Sequence, residues 1–195
     1  IKLHVSEVGG DVNRVTGGVV ATIKDVGLTF DFEGLEASRN VGLRAGWLPE
    51  EPTASTPYAP DCEWSGAICK DTADDPDNPR IPYRIEVRYP TPDVGFAFVG
   101  NAEIVREETR DNLTVIEIAA DYRGTDYDHS GMESANFIMI FDAENGYTVL
   151  ISSTMYGFDV LEKIAANLAL HVFTDTHDGF PPVPMGYIPI QPGRG

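Results

Sequence analysis

Apolar and polar residues alternate most regularly from Tyr83 to Tyr89, where Arg84, Glu86 and Arg88 separate Tyr83, Ile85, Val87 and Tyr89. A period of two predicts a strand with one buried and one wetter face. Asn136–Phe141 and Tyr147–Ser152 are β-rich runs, and Asp142-Ala-Glu-Asn145-Gly146 between them carries the Asn-Gly signal of a hairpin. The pattern then changes to a helical one. Asp159 stands three residues before Glu162, the spacing of a capping box, and Leu161, Ile164, Ala165 and Leu168 share one face, predicting a helix from Asp159 to His171. Further strands are predicted at Gly18–Ile23, Leu28–Phe32, Gly95–Val99 and Leu113–Ala120, with a charged connection over Arg106–Asp111. Successive strands joined by short turns imply an antiparallel meander. The expected fold class is α+β: a curved, largely antiparallel sheet packed against one C-terminal helix.

Composition places the punctuation. From Glu50 to Arg80, Pro49, Pro52, Pro57, Pro60, Pro76 and Pro79 stand in or beside a stretch rich in Asp, Ser and Thr, which predicts a long loop. Thr174 to Gly195 holds Pro181, Pro182, Pro184, Pro189 and Pro192, so it cannot extend the helix and is expected to be extended or disordered, or to rest along a sheet edge. The predicted organisation is one α+β domain over residues 1–173 and a Pro-rich tail over 174–195. The chain opens at Ile1 without a signal-peptide pattern, and a trimmed or mature form that has lost its leader or anchor is expected. No apolar run reaches the length that spans a bilayer.

Charge narrows the partners. Acidic side chains number 31 and basic ones 14, for a formal charge of −17, so nucleic acid is excluded as an expected partner, and a membrane is expected only through a separate anchor. The two cysteines, Cys62 and Cys69, lack partners at zinc spacing. A disulfide closing this short loop would remove roughly 2–3 kcal/mol of unfolded-state entropy and would place the chain in an oxidising, extracytoplasmic compartment. Two buried thiols are the alternative.

Candidate chemistry is sparse. Asp126-Tyr-Asp128-His-Ser130-Gly131 matches the opening of a calcium loop, but Phe137 occupies the place of the closing glutamate. Asp126, Asp128 and Ser130 are the calcium candidates, and turn chemistry is the ordinary reading of such a cluster. His129 stands among Asp128 and Ser130, yet adjacent residues do not normally aim at one reacting atom, and no nucleophile elbow, His-Glu-x-x-His or phosphate-cradling loop occurs. His171, at the expected helix end, would complement the helix dipole. Tyr89, Phe96, Phe98 and the Phe137/Met139/Phe141 face are expected to be core beneath the helix, with an apolar ligand site as the alternative. Trp47, Trp64 and the loop between the cysteines form the candidate recognition surface.

Two stretches carry a resemblance. Gly42-Leu-Arg-Ala-Gly-Trp-Leu-Pro-Glu50, and Gly146-Tyr-Thr-Val-Leu-Ile-Ser152 continuing through Leu161–Leu168, are similar to a bacterial family of unknown function. That family is found as extracytoplasmic C-terminal domains of anti-sigma-factor-like membrane proteins and as lipoproteins. The similarity covers about 41–170. The family pattern continues Pro-Glu-Gly-aromatic where this chain has Glu50-Glu51-Pro52. The resemblance implies a sensory or interaction domain of the cell envelope and supplies no catalytic residue or cofactor. The expected function is therefore non-enzymatic interaction or signal sensing, with a protein partner or small apolar ligand. A carrier of a lipid-like molecule held between sheet and helix is the first alternative, and a hydrolase the second.

Overall fold

The computed structural model describes residues 2–16, 19–31, 40–52, 68–70, 81–88, 96–98, 101–123, 133–144, 146–173 and 188–190. The strands are β1 (Lys2–Thr16), β2 (Val19–Asp31), β3 (Asn40–Ala45), β4 (Ile68–Lys70), β5 (Tyr83–Arg88), β6 (Phe96–Phe98), β7 (Glu103–Arg110), β8 (Leu113–Asp121), β9 (Ser134–Asp142) and β10 (Tyr147–Ser153). Helix α1 (Phe158–Ala166), β11 (Leu168–Phe173) and β12 (Ile188–Ile190) follow. They form antiparallel sheets in the orders β1-β2-β6, β4-β5-β10-β9-β8-β7 and β11-β3-β12. Among the described residues α1 is the single helix, as an α+β reading expects.

The six-stranded sheet organises the molecule. Cross-strand rows such as Ile85–Ile151–Ile138–Glu117–Arg106 alternate with rows such as Glu86–Leu150–Met139–Ile116–Glu107. The period of two therefore gives the sheet two apolar faces. Ile85, Val87, Ile138, Val149 and Ile151 pack with Leu161 and Ile164 of α1, both fully buried, and with Leu43 of β3. Ile116, Ile118, Met139 and Leu150 form the other cluster with Phe98 of β6, whose ring meets Phe137 edge-on at 5.1 Å between centroids. Phe137, Met139 and Phe141 thus face away from the helix, because the alternation that sends Ile138 and Ile140 toward α1 sends them the other way.

Several sequence expectations change. The described parts of the two runs expected at Gly18–Ile23 and Leu28–Phe32 belong to one strand, β2 (Val19–Asp31), paired with β1 in a long hairpin that has one register shift between Val8 and Val12. The supposed connection Arg106–Asp111 is mostly β7, whose polar residues belong to an edge strand. Asp111, at φ 52°, turns it into β8. The meander holds for β7 to β10, but β5 pairs with β10 and β4, and β6 joins β2. The helix stops at Asn167, whose N–H and side-chain amide donate to the carbonyls of Ile164 and Lys163 at 3.0 and 2.8 Å. Leu168–Phe173 is a strand because it pairs with β3 over its whole length, so His171 lies on a sheet and not at a helix end. On the other side of β3 lies Ile188–Ile190 from the proline-rich segment. Its Pro189, which has no N–H, is tolerated on an edge.

Candidate functional site

The Trp-Leu-Pro-Glu stretch follows β3 and is fastened to the elements around α1. Gly46 N–H donates to the Asn167 carbonyl at 2.8 Å, and a Cβ on Gly46 would come within 3.2 Å of that oxygen, so the close approach favours glycine. Trp47 and Leu48 pack on the helix-side core, and the Lys163 ammonium sits 3.8 Å from the centre of the Trp47 ring, within range of a cation–π contact. Glu50 receives two phenols: Tyr83 donates to its carbonyl at 2.8 Å, and Tyr156 donates to its carboxylate. Burial first, then the Glu50 charge, pushes the Tyr83 phenol up to about 12. The bond to Glu50, with burial, raises the Tyr156 phenol as well. The two stretches that carry the family resemblance therefore touch one another here.

A second cluster surrounds Arg106. A bulge at Val105 puts Arg106 opposite Glu117. One guanidinium then serves three carboxylates, Glu162 of α1 at 2.6 Å, Glu108 at 2.7 Å and the buried Glu117 at 3.1 Å. Burial raises the Glu117 carboxyl, with Arg106 acting against it. Hydrogen bonds from Arg106 and Arg110 hold Glu108 below the ordinary carboxylate range. This network joins helix to sheet edge, and Glu162 acts in it rather than in a capping box. The helix N-cap is Gly157, with no side-chain cap, and Asp159 lies in the first turn. Ser153 Oγ, which accepts from the N–H groups of Met155 and Tyr156, fixes the approach instead.

The third feature is a cleft of about 160 Å³ on the sheet face turned away from α1. Arg84, Ser152 and Phe137 occupy one cross-strand row, and Thr154, Ala135 and Tyr122 are among the other residues that line the cleft. The Arg84 side chain is 22 % exposed and stands 3.8 Å from Glu86, an ion pair too long for a hydrogen bond. Its Nε–H is buried and meets no acceptor among the described residues. Thr154 and Ile81, both on the cleft wall, are locked together: each N–H donates to the other residue, at 2.9 and 3.0 Å, and the threonine hydroxyl also donates to the Ile81 carbonyl at 3.3 Å.

Of the expected site residues, Trp47 is half-buried at the junction of β3 and α1. Cys69 is buried, disulfide-bonded and directly across from Arg84 on β4. Cys62, Trp64, Asp126, Asp128, Ser130 and His129 lie outside the described residues. His171 is exposed on β11. Among the described residues no three His, Cys, Asp or Glu side chains are grouped to hold a metal ion, and no helix is long and apolar enough to cross a membrane. Sequence reading missed Arg84, whose alternation on β5 was visible but whose unmet donor was not. It also missed the Arg106 cluster, hidden inside a stretch read as a connection. Comparison with family models, with curated proteins and with solved structures gives no match.

Proposed function

We propose that the chain is a non-enzymatic interaction or signal-sensing domain that works outside the cytoplasm at the cell envelope. The observation that carries this reading is the Trp47 platform. A half-exposed tryptophan, capped by Lys163 and braced through Gly46 and Glu50, presents an aromatic and a cation without loss of side-chain freedom on binding, which suits a recognition surface. The buried disulfide at Cys69 supports the oxidising compartment. In this reading the six-stranded sheet curves around α1 and holds the platform rigid. The lipid-carrier alternative needs a cavity between helix and sheet, whereas Leu161 and Ile164 fill that space against Ile138, Val149 and Ile151; the packing favours the interaction reading.

The test is site-specific photo-crosslinking in cell-envelope extract from position 166, exposed and three residues beyond Lys163 on α1. A discrete adduct that disappears with Trp47→Ala, while the variant keeps a cooperative melting transition above the temperature of the experiment, is the expected result. Adducts that are indifferent to Trp47 would reject the platform as the recognition surface.

A further inference from the structure

We propose that the cleft beside Arg84 binds a small organic carboxylate, with the acid group on the guanidinium and a short apolar stem against Ala135 and Phe137. This site lies on the sheet face opposite α1 and stands whether or not the Trp47 platform recognises a protein. Four observations point to it together. First, a guanidinium has five N–H donors in a planar fork. Here its one ionic neighbour, Glu86, is 3.8 Å away and its Nε–H is buried without an acceptor among the described residues. A buried unmet donor costs free energy, more so on a charged group, so the fold does not saturate this guanidinium, and its partly exposed side chain leaves its charge to a ligand in the cleft.

Second, the space adjoins this side chain. About 160 Å³ is close to the roughly 150 Å³ cavity that accommodates a benzene ring, so the occupant has about half a dozen heavy atoms. Third, the lining combines the hydroxyl residues Ser152 and Thr154 with the apolar Ala135 and Phe137. That mixture matches a carboxylate with a short hydrocarbon stem. Inorganic phosphate would place a larger charge against the same apolar wall with one guanidinium to meet it. Fourth, the walls are set before binding. Three hydrogen bonds pin Thr154 to Ile81, Phe137 is held against Phe98, and the disulfide-bonded Cys69 flanks Arg84 on β4. Little ordering entropy is therefore left to lose. The overall charge of −17 opposes any anion and keeps the affinity in roughly the millimolar range.

The same chemistry could come from a free short-chain acid or from the C-terminal residue of a peptide. The experiment titrates the whole chain, isotope-labelled for nuclear magnetic resonance, with butyrate, with n-butanol, and with acetyl-trialanine as free acid and as amide. Saturable shifts at Ser152, Thr154 and Ala135 with butyrate but not butanol are expected. Arg84→Gln should weaken butyrate by about tenfold or more, the loss of a charge-assisted hydrogen bond. Ala135→Leu, which fills the space and leaves Arg84 in place, should abolish binding. Tighter binding of the peptide acid than of butyrate identifies a chain terminus as the source; equal or weaker binding identifies a free acid; and both support the site. If Arg84→Gln does not fold, Ala135→Leu decides alone. Absence of saturable shifts with either acid in the folded wild type, equal response to butanol, or undiminished binding by Ala135→Leu would overturn the proposal.

Discussion

Tyr83 shows how much one side chain can carry in this molecule. It is fully buried, donates to the Glu50 carbonyl and has its phenol pushed up to about 12. A group whose folded value lies above its unfolded value of about 10 contributes stability below that value and loses it as pH rises through the folded one. The denaturation midpoint should therefore fall between about pH 10 and 12, and Tyr83→Phe should fall less over that window while losing about 1 kcal/mol at neutral pH for the missing bond. Glu117 works in the acid range with the same sign. Its carboxyl is raised by burial, so its contribution is complete below the ordinary carboxylate value and is lost as pH rises through the raised one. Replacing it with glutamine should help most near pH 7, and the difference from wild type should shrink toward pH 4.5 in thermal melts. A difference that grows on acidification would contradict the assigned shift. Neither residue was legible as special. Tyr83 read as a strand position and Glu117 as a polar position in Leu113–Ala120, because burial of the one and the arginine beside the other depend on which strands become neighbours.

Elements were easier to read than their ends. The strands at Tyr83, Leu113, Asn136 and Tyr147 follow from alternation and β-branched content, and α1 from its spaced Leu161, Ile164 and Ala165. The sequence pattern overextends the helix because Leu168 satisfies both periods: it continues the helical face, and it opens a strand with Leu170 on the same side. Asn167 was the available stop signal, a residue type common at helix C-termini. Asn167→Ala should cost about 1 kcal/mol through the lost side-chain bond to Lys163, measured by urea unfolding; a helix continuing to 171 would instead gain from alanine. Leu161→Ala, by emptying a fully buried position against the sheet, should cost about 2–5 kcal/mol. Strand β7 escaped reading for a different reason. Its Glu103–Arg110 sequence keeps only Ile104 and Val105 apolar, and a bulge breaks the alternation where it would have shown.

At the scale of the whole molecule, the three sheets draw on widely separated parts of the chain, and pairing across such distances leaves no local trace in sequence. Cys69, disulfide-bonded, sits on the short edge strand β4 opposite Arg84 of β5. Alkylation in unreduced, unfolded protein should leave both cysteines unmodified, and reduction should lower the melting temperature. Strand β3 depends equally on distant partners, with β11 on one side and β12 on the other. A chain ending at Phe173 should keep α1 and β11 but expose one edge of β3, and should self-associate in sedimentation experiments where the full chain does not.

That arrangement also imposes an order in time. On the ribosome β3 emerges long before either neighbour, so its amides wait in water, or with a chaperone, until synthesis has passed Ile190. The layer built around it can close only after Ile190 has been made, and slow synthesis should prolong the interval in which this strand is open to capture by another chain.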